Sequence, residues 1–178
     1  TPSLSWQSVA IGDPLYRPFK VSLAEQLKFS EVSTFTAYAS IRETNRILAE
    51  EGSEPAIAYA RSEFISQPSL ALAYRLAQLY ASEAKDREAV EVLKIIRFIT
   101  SYSPDDFVLI QKIANFLHTR GESEMAFSIY KKLLKERDLD KQLKIALFQG
   151  GARIAVTQNE PVIASRWNLE ASKLKSPP

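Results

Sequence analysis

From Ser22 onward, apolar residues recur every three or four positions and rarely alternate with polar ones, the period of helices buried along one stripe. The pattern predicts helices near residues 22–29, 31–50, 54–66, 70–83, 87–102, 104–119, 122–137, 141–157 and 160–174. Several starts carry capping chemistry. Ser22 with Glu25 three residues on forms a capping box, and the Ser69 hydroxyl can accept from an unpaired amide of the helix that opens at Leu70. Ser103-Pro104 sets a proline at a first helical position, with Asp105 and Asp106 in the first turn, where carboxylates suit the helix dipole. Asn159-Glu160-Pro161 repeats that device before the last helix.

The first twenty residues read differently. Gln7-Ser8-Val9-Ala10-Ile11 is a short extended run, ended by Gly12-Asp13-Pro14, and Pro14 and Pro18 bracket Leu15-Tyr16-Arg17 as turn chemistry. Two regions are therefore expected: an extended N-terminal segment, 1–20, and a helical domain, 21–178. Trp6, Leu15, Tyr16 and Phe19 are too apolar for a free tail, so the segment is expected to pack on the first helices.

Eight of the nine helices form pairs with short links, which raises the question of an internal repeat. Leu76-Ala77 with Tyr80 leads to Ala89 and Leu93; Ile113-Ala114 with Leu117 leads to Ala126 and Tyr130; Gly151-Ala152 with Ala155 leads to Ala164 and Asn168. The small residues of each pair stand 12 positions apart, and the unit recurs after 37 and then 38 residues. The turns Lys85-Asp86-Arg87-Glu88-Ala89 and Gly121-Glu122-Ser123-Glu124-Met125-Ala126 also correspond. This arrangement resembles the tetratricopeptide repeat, whose unit is usually about 34 residues. The resemblance implies an all-α fold, a right-handed superhelix of antiparallel helix pairs. The chain departs from that pattern in two places. The proline expected near the end of each repeat is displaced (Pro104) or replaced (Asp138), and the pair around Gly52 to Ser66 fits poorly. Gly150-Gly151 lies inside a helix, where glycine weakens helix propensity, so close packing against a neighbouring helix is expected there. The aromatic residues, among them Tyr59, Phe64, Tyr74, Phe98, Phe116, Phe127, Tyr130 and Trp167, fall at helical spacing and are mostly accounted for by a core.

Composition narrows the function. With 46% hydrophobic and 25% charged residues, 178 residues suffice for one domain with a continuous core. Lys plus Arg is 23 against 21 Asp plus Glu, a net charge of +2 with no basic block, so no nucleic-acid partner is expected. No apolar run approaches the ~20 residues of a membrane span, so no membrane insertion is expected. The N-terminus lacks the charged-then-apolar pattern of a signal peptide. There is no cysteine, hence no disulfide and no thiolate ligand or nucleophile.

Candidate chemistry is sparse. His118 is the one histidine, so any catalytic triad would have to use it, and no G-x-S-x-G accompanies it. Asp105-Asp106 and Asp138-Leu139-Asp140 are carboxylate clusters, but both stand at helix starts, where capping explains them. Neither a P-loop nor G-x-G-x-x-G is present. No catalytic residue, no cofactor and no metal is expected.

The tetratricopeptide resemblance implies that the first helix of each pair lines a groove, with its fifth and ninth positions pointing in. Those positions hold Tyr74 and Gln78, Gln111 and Asn115, and Gln149 and Arg153; His118, three residues beyond Asn115, shares that face. The set is rich in side-chain amides that can bond the backbone of an extended peptide, and Arg153 could take a carboxylate. It resembles the Asn-and-basic clamps of co-chaperone repeats at Asn115 and Arg153, without their lysines. The other reading of these positions is an ordinary solvated face.

The segment Trp6-Gln7-Ser8-Val9-Ala10-Ile11-Gly12-Asp13-Pro14-Leu15-Tyr16-Arg17-Pro18-Phe19 resembles a motif of an uncharacterised bacterial family found mainly in species with the exosortase sorting system. There an α/β region ends in a similar strand and turn, followed by a helical tail. The turn is also similar to the last strand of gingipain-like cysteine peptidases. The resemblance implies that this chain is the C-terminal helical part of a larger, periplasmic or exported protein. The expected function is a non-catalytic module that binds a protein or extended peptide. The alternative is a structural appendage packing on its own upstream α/β domain.

Overall fold

The computed structural model describes residues 33–98, 104–136 and 139–175. The chain divides into compact units 1–36 and 37–178, and the second holds nearly all of the described residues. The expectations for the capping box at Ser22, the extended segment 1–20 and its packing, the helix at 22–29 and the cap at Ser103 lie outside the described residues.

Among the described residues the fold is all helical. Its α-helices are α1 (Ser33–Glu50), α2 (Ser53–Ser66), α3 (Leu70–Ser82), α4 (Asp86–Leu93), α5 (Phe107–Thr119), α6 (Ser123–Leu133), α7 (Lys141–Thr157) and α8 (Pro161–Lys175). Two expected caps form as read. Ser69 Oγ accepts from the Leu72 amide at 3.3 Å, and Asp140 Oδ1 accepts from Gln142 and Leu143 at 2.8 and 3.1 Å. Pro161 occupies the first position of α8, where its missing amide proton leaves no bond unmade.

The helix expected over 122–137 ends at Leu133, and two other segments take 3-10 form. The helix expected over 87–102 ends as an α-helix at Leu93 and continues as a 3-10 helix, Lys94–Phe98. In a 3-10 turn residues i and i+3 eclipse, which stacks buried Ile96 over buried Leu93 and leaves Phe98 in solvent, 84% exposed. Phe98 is therefore not a core residue. Pro104–Asp106 is likewise a 3-10 turn before α5, and Asp106 stands at the cap of α5 without a side-chain cap bond. Burial first, then the neighbouring charge of Asp105, pushes the Asp106 carboxyl above its ordinary value. Capping thus accounts for Asp140 but not for Asp106.

The connections within the last three pairs share one backbone motif. Ala84, Gly121 and Asn159 each adopt a left-handed conformation, with φ of 56°, 86° and 56°. The next amides, of Lys85, Glu122 and Glu160, bond back to the carbonyls of Tyr80, Leu117 and Ala155. This is the Schellman closure, which satisfies carbonyls at a helix end and reverses the chain. The amides of Ala89, Ala126 and Ala164 then bond to Lys85, Glu122 and Glu160, opening each second helix in the same register.

Helix contacts follow from these short turns. α3 packs on α4, α5 on α6 and α7 on α8, and each pair also touches the next through α4–α5 and α6–α7. The first helices meet each other as well, α3 with α5 and α5 with α7. Ala77, Ala89, Ala114, Ala126, Ala152 and Ala164 are all buried, as close helix approach requires. Gly150 and Gly151 are buried too, and a methyl group on them would meet Tyr130 and Trp167 respectively. One apolar cluster runs from Ile47 in α1 to Ala164 in α8. Between α1 and α2 the Ser40 hydroxyl donates to Glu63 at 2.7 Å, and buried Thr44 donates to the Ser40 carbonyl.

Candidate functional site

The seven nominated positions lie on the first helices of three pairs. Tyr74 and Gln78 belong to α3, Gln111, Asn115 and His118 to α5, and Gln149 and Arg153 to α7. Asn115 and Arg153 are exposed, and the others are half-buried.

Three of them converge on one hydroxyl. Tyr130, on α6, has no exposed surface. Its ring passes beside α7 where Gly150 and Gly151 carry no side chains: a methyl group on Gly150 would lie 2.5 Å from the hydroxyl. The hydroxyl emerges at the first-helix side and donates to Asn115 Oδ1 at 2.8 Å. Gln111 and the charge of Arg153 also lie near enough to act on it. Burial pushes the phenol above its ordinary value, and the contacts with Gln111, Asn115 and Arg153 pull against that shift. A buried phenol needs such partners, because an unpaired hydroxyl costs about 1–3 kcal/mol. The bond has a directional consequence. With its carbonyl oxygen turned inward to Tyr130, Asn115 presents its NH2 group outward. Beside it on α7, the exposed Arg153 guanidinium donates to the Gln149 carbonyl at a long 3.4 Å. One face thus offers an amide donor and a guanidinium.

The remaining nominees are engaged elsewhere. Tyr74 packs edge-on against Phe116, with ring centroids 6.0 Å apart. The other side of that contact is closed by Arg120, whose guanidinium lies 3.6 Å from the Phe116 centroid and donates to Asp86 of α4 at 2.8 Å. Tyr74 is therefore part of the joint between successive pairs. His118 Nδ1 lies 2.8 Å from Ser123 Oγ, so the imidazole bridges the turn from α5 to α6. Among the described residues, no group of three His, Asp or Glu side chains is placed to hold a metal ion. No described helix is long and apolar enough to cross a membrane.

Sequence reasoning missed Tyr130 as a polar element and read it as a large core residue. The signal that could have found it was its pairing with Gly150-Gly151: a bulky phenol faces two consecutive glycines in the next pair. It also missed the concavities on the second-helix side. A cleft of about 320 Å³ lies between the Ile96-Arg97 turn and α6, and further clefts lie between α2 and α4. The sequence matches no protein-family model and no curated protein.

Proposed function

We propose that the chain is a non-catalytic helical repeat module, a tetratricopeptide-like superhelix that binds a protein segment in extended form along its first helices. The recurrence of one turn and one small-residue register over three pairs, with contacts between successive first helices, supports the repeat reading. The observation that carries the binding reading is the Tyr130–Asn115 hydrogen bond. It fixes a surface amide with its donors outward, next to an exposed guanidinium. Donors held in place lose little entropy when they meet a ligand's carbonyls. The matching ligand is rich in acceptors: the backbone of an extended peptide, or its terminal carboxylate at Arg153.

A peptide array tests this. Short extended peptides, each with a free and an amidated C-terminus, are probed with the wild-type chain, with Asn115→Ala/Arg153→Ala, and with Arg166→Ala, an exposed change on α8. The expected result is a set of peptides retained by Arg166→Ala and lost by the double variant. Identical profiles for all three proteins would remove the groove from consideration.

A further inference from the structure

We propose that the second-helix side carries a separate docking surface, between α2 and α4, whose occupant is a short amphipathic helix with carboxylates flanking its apolar face. Two clefts of about 550 and 400 Å³ adjoin here and share Glu91 and Val92. The larger is apolar at its centre, walled by Phe64, Ile65, Pro68, Val92, Ile95 and Phe98. Two of these are largely exposed, Ile65 at 69% and Phe98 at 84%. Large apolar side chains clustered around a concavity, rather than scattered, mark a surface that is covered in use.

Charge selects the occupant. Arg61, Arg87, Lys94 and Arg97 line the two clefts against Glu88 and Glu91, four cations to two anions, an excess of +2. Glu91 is paired with Lys94 and also lies within electrostatic reach of Arg87 and Arg97, so one carboxylate is shared among three cations. Arg61, Arg87 and Arg97 are exposed, and none has a carboxylate within ion-pair distance among the described residues. A partner that covers the apolar centre brings its own edges over these guanidiniums. Carboxylates are complementary there and ammonium groups are repelled.

Shape selects a helix. The cleft is walled by helices on both sides, and from Arg87 to Phe98 its wall runs about 18–19 Å, a little over three α-helical turns. A helix with apolar residues at i, i+3, i+4 and i+7 continues the packing of helix on helix. None of these residues belongs to the groove set on α3, α5 and α7, so the two surfaces succeed or fail independently.

The test uses two labelled 14-residue synthetic helices that share one Leu/Ala apolar face, flanked by Glu in one and Lys in the other. Binding to the full chain is followed by fluorescence anisotropy. The Glu-flanked helix should bind about tenfold or more tighter, with the margin shrinking as salt rises. Ile65→Ser/Phe98→Ser should abolish its binding. These side chains are exposed, so the helical circular dichroism should be retained. Arg61→Glu/Arg97→Glu should reverse the preference toward the Lys-flanked helix. Equal affinity for the two helices, or binding unaffected by Ile65→Ser/Phe98→Ser, overturns the proposal. So does absence of peptide binding combined with self-association that the Ser variants abolish, which would assign the surface to a second copy of the chain.

Discussion

Gly150 sits inside α7, where replacing glycine by alanine ordinarily stabilises a helix by about 0.8–1 kcal/mol. The structure reverses that sign. The new methyl group would lie 2.5 Å from the Tyr130 hydroxyl and 3.0 Å from Cζ of the same ring. Tyr130 has no exposed surface and cannot swing into solvent. The ring also lies close along Gly151, its Cδ1 3.2 Å from where a methyl group there would stand. Relief therefore requires the ring to tilt, which strains the core by about 1–3 kcal/mol. The tilt also draws the hydroxyl from Asn115, a loss of about 1 kcal/mol. Set against the propensity gain, Gly150→Ala should cost about 1–3 kcal/mol. In combination with Tyr130→Phe the closest atom disappears, so Gly150→Ala should then be near neutral. The expected coupling in the double-mutant cycle is about 1–3 kcal/mol and favourable. Urea unfolding followed at 222 nm measures it, and a change of about 2 kcal/mol moves the midpoint by roughly 1 M at an ordinary m-value. If Gly150→Ala instead stabilises the chain equally with and without Tyr130→Phe, α6 and α7 do not pack through this contact.

Other parts of the fold give three further expected outcomes. Ala126→Leu should overpack the α5–α6 crossing and cost about 1–3 kcal/mol in the same unfolding assay; an unchanged midpoint would deny the close approach. Ala84 and Gly121 occupy equivalent left-handed positions, so Ala84→Gly should stabilise by about 0.5–1 kcal/mol and Gly121→Ala should destabilise by a similar amount; shifts of the same sign would contradict the shared turn. The Asp106 carboxyl is held above its ordinary value, so its ionisation opposes folding: the penalty is absent below the unfolded pKa and grows as pH rises through the folded one. Asp106→Asn should therefore unfold at higher urea than wild type at pH 7 and at the same urea near pH 3, and a gap that widens on acidification would refute the cause.

What the sequence made legible was the part dictated by local chemistry at fixed spacing. Ala77, Ala114 and Ala152, with their partners 12 residues on, could be read as helix crossings because a close approach admits only small residues. α7 is readable from its apolar spacing and its cap at Asp140, while the closure at Asn159, which the sequence marks only as the approach to the next helix, comes from the structure. The 3-10 turn that follows α4 is not readable. Over a single turn, apolar spacing cannot distinguish i→i+3 from i→i+4 bonding, and Ile95-Ile96-Arg97-Phe98 satisfies both. The choice fixed the fate of Phe98, and with it the cleft beside α2. The groove set was legible as a face but not as a network. The tetratricopeptide resemblance groups Gln111, Asn115 and Arg153, while the element that organises them, Tyr130, comes from a second helix and reads in the sequence as a core aromatic. His118 shows the same limit from the other side. Its spacing from Asn115 suits a shared face, yet the start of α6 supplies Ser123 as its partner.

Because the outward donors of Asn115 are oriented from within the core, the proposed groove and the trough between α2 and α4 should respond differently to one buried substitution. Tyr130→Phe keeps the ring, so the contacts with α7 persist and the loss of stability should stay near the 0.5–1.5 kcal/mol of one hydrogen bond. The Asn115 carbonyl then has no fixed donor, and its amide can turn over freely at the surface. A ligand meeting that amide must immobilise it, at a cost of about 0.5–1.5 kcal/mol for one side chain. Affinity for a groove peptide identified on the array should therefore fall roughly three- to tenfold. Affinity for the Glu-flanked helix should not change, since the residues lining that surface lie on α2, α3, α4 and the turn after it, not on the helices that carry Tyr130, Gln111 and Asn115. Titrating both probes against Tyr130→Phe separates the two sites in one experiment. A groove peptide bound as tightly as by wild type would mean that Asn115 is not held in its binding orientation by Tyr130. Equal weakening of both probes would mean that the substitution acts by loosening the whole array.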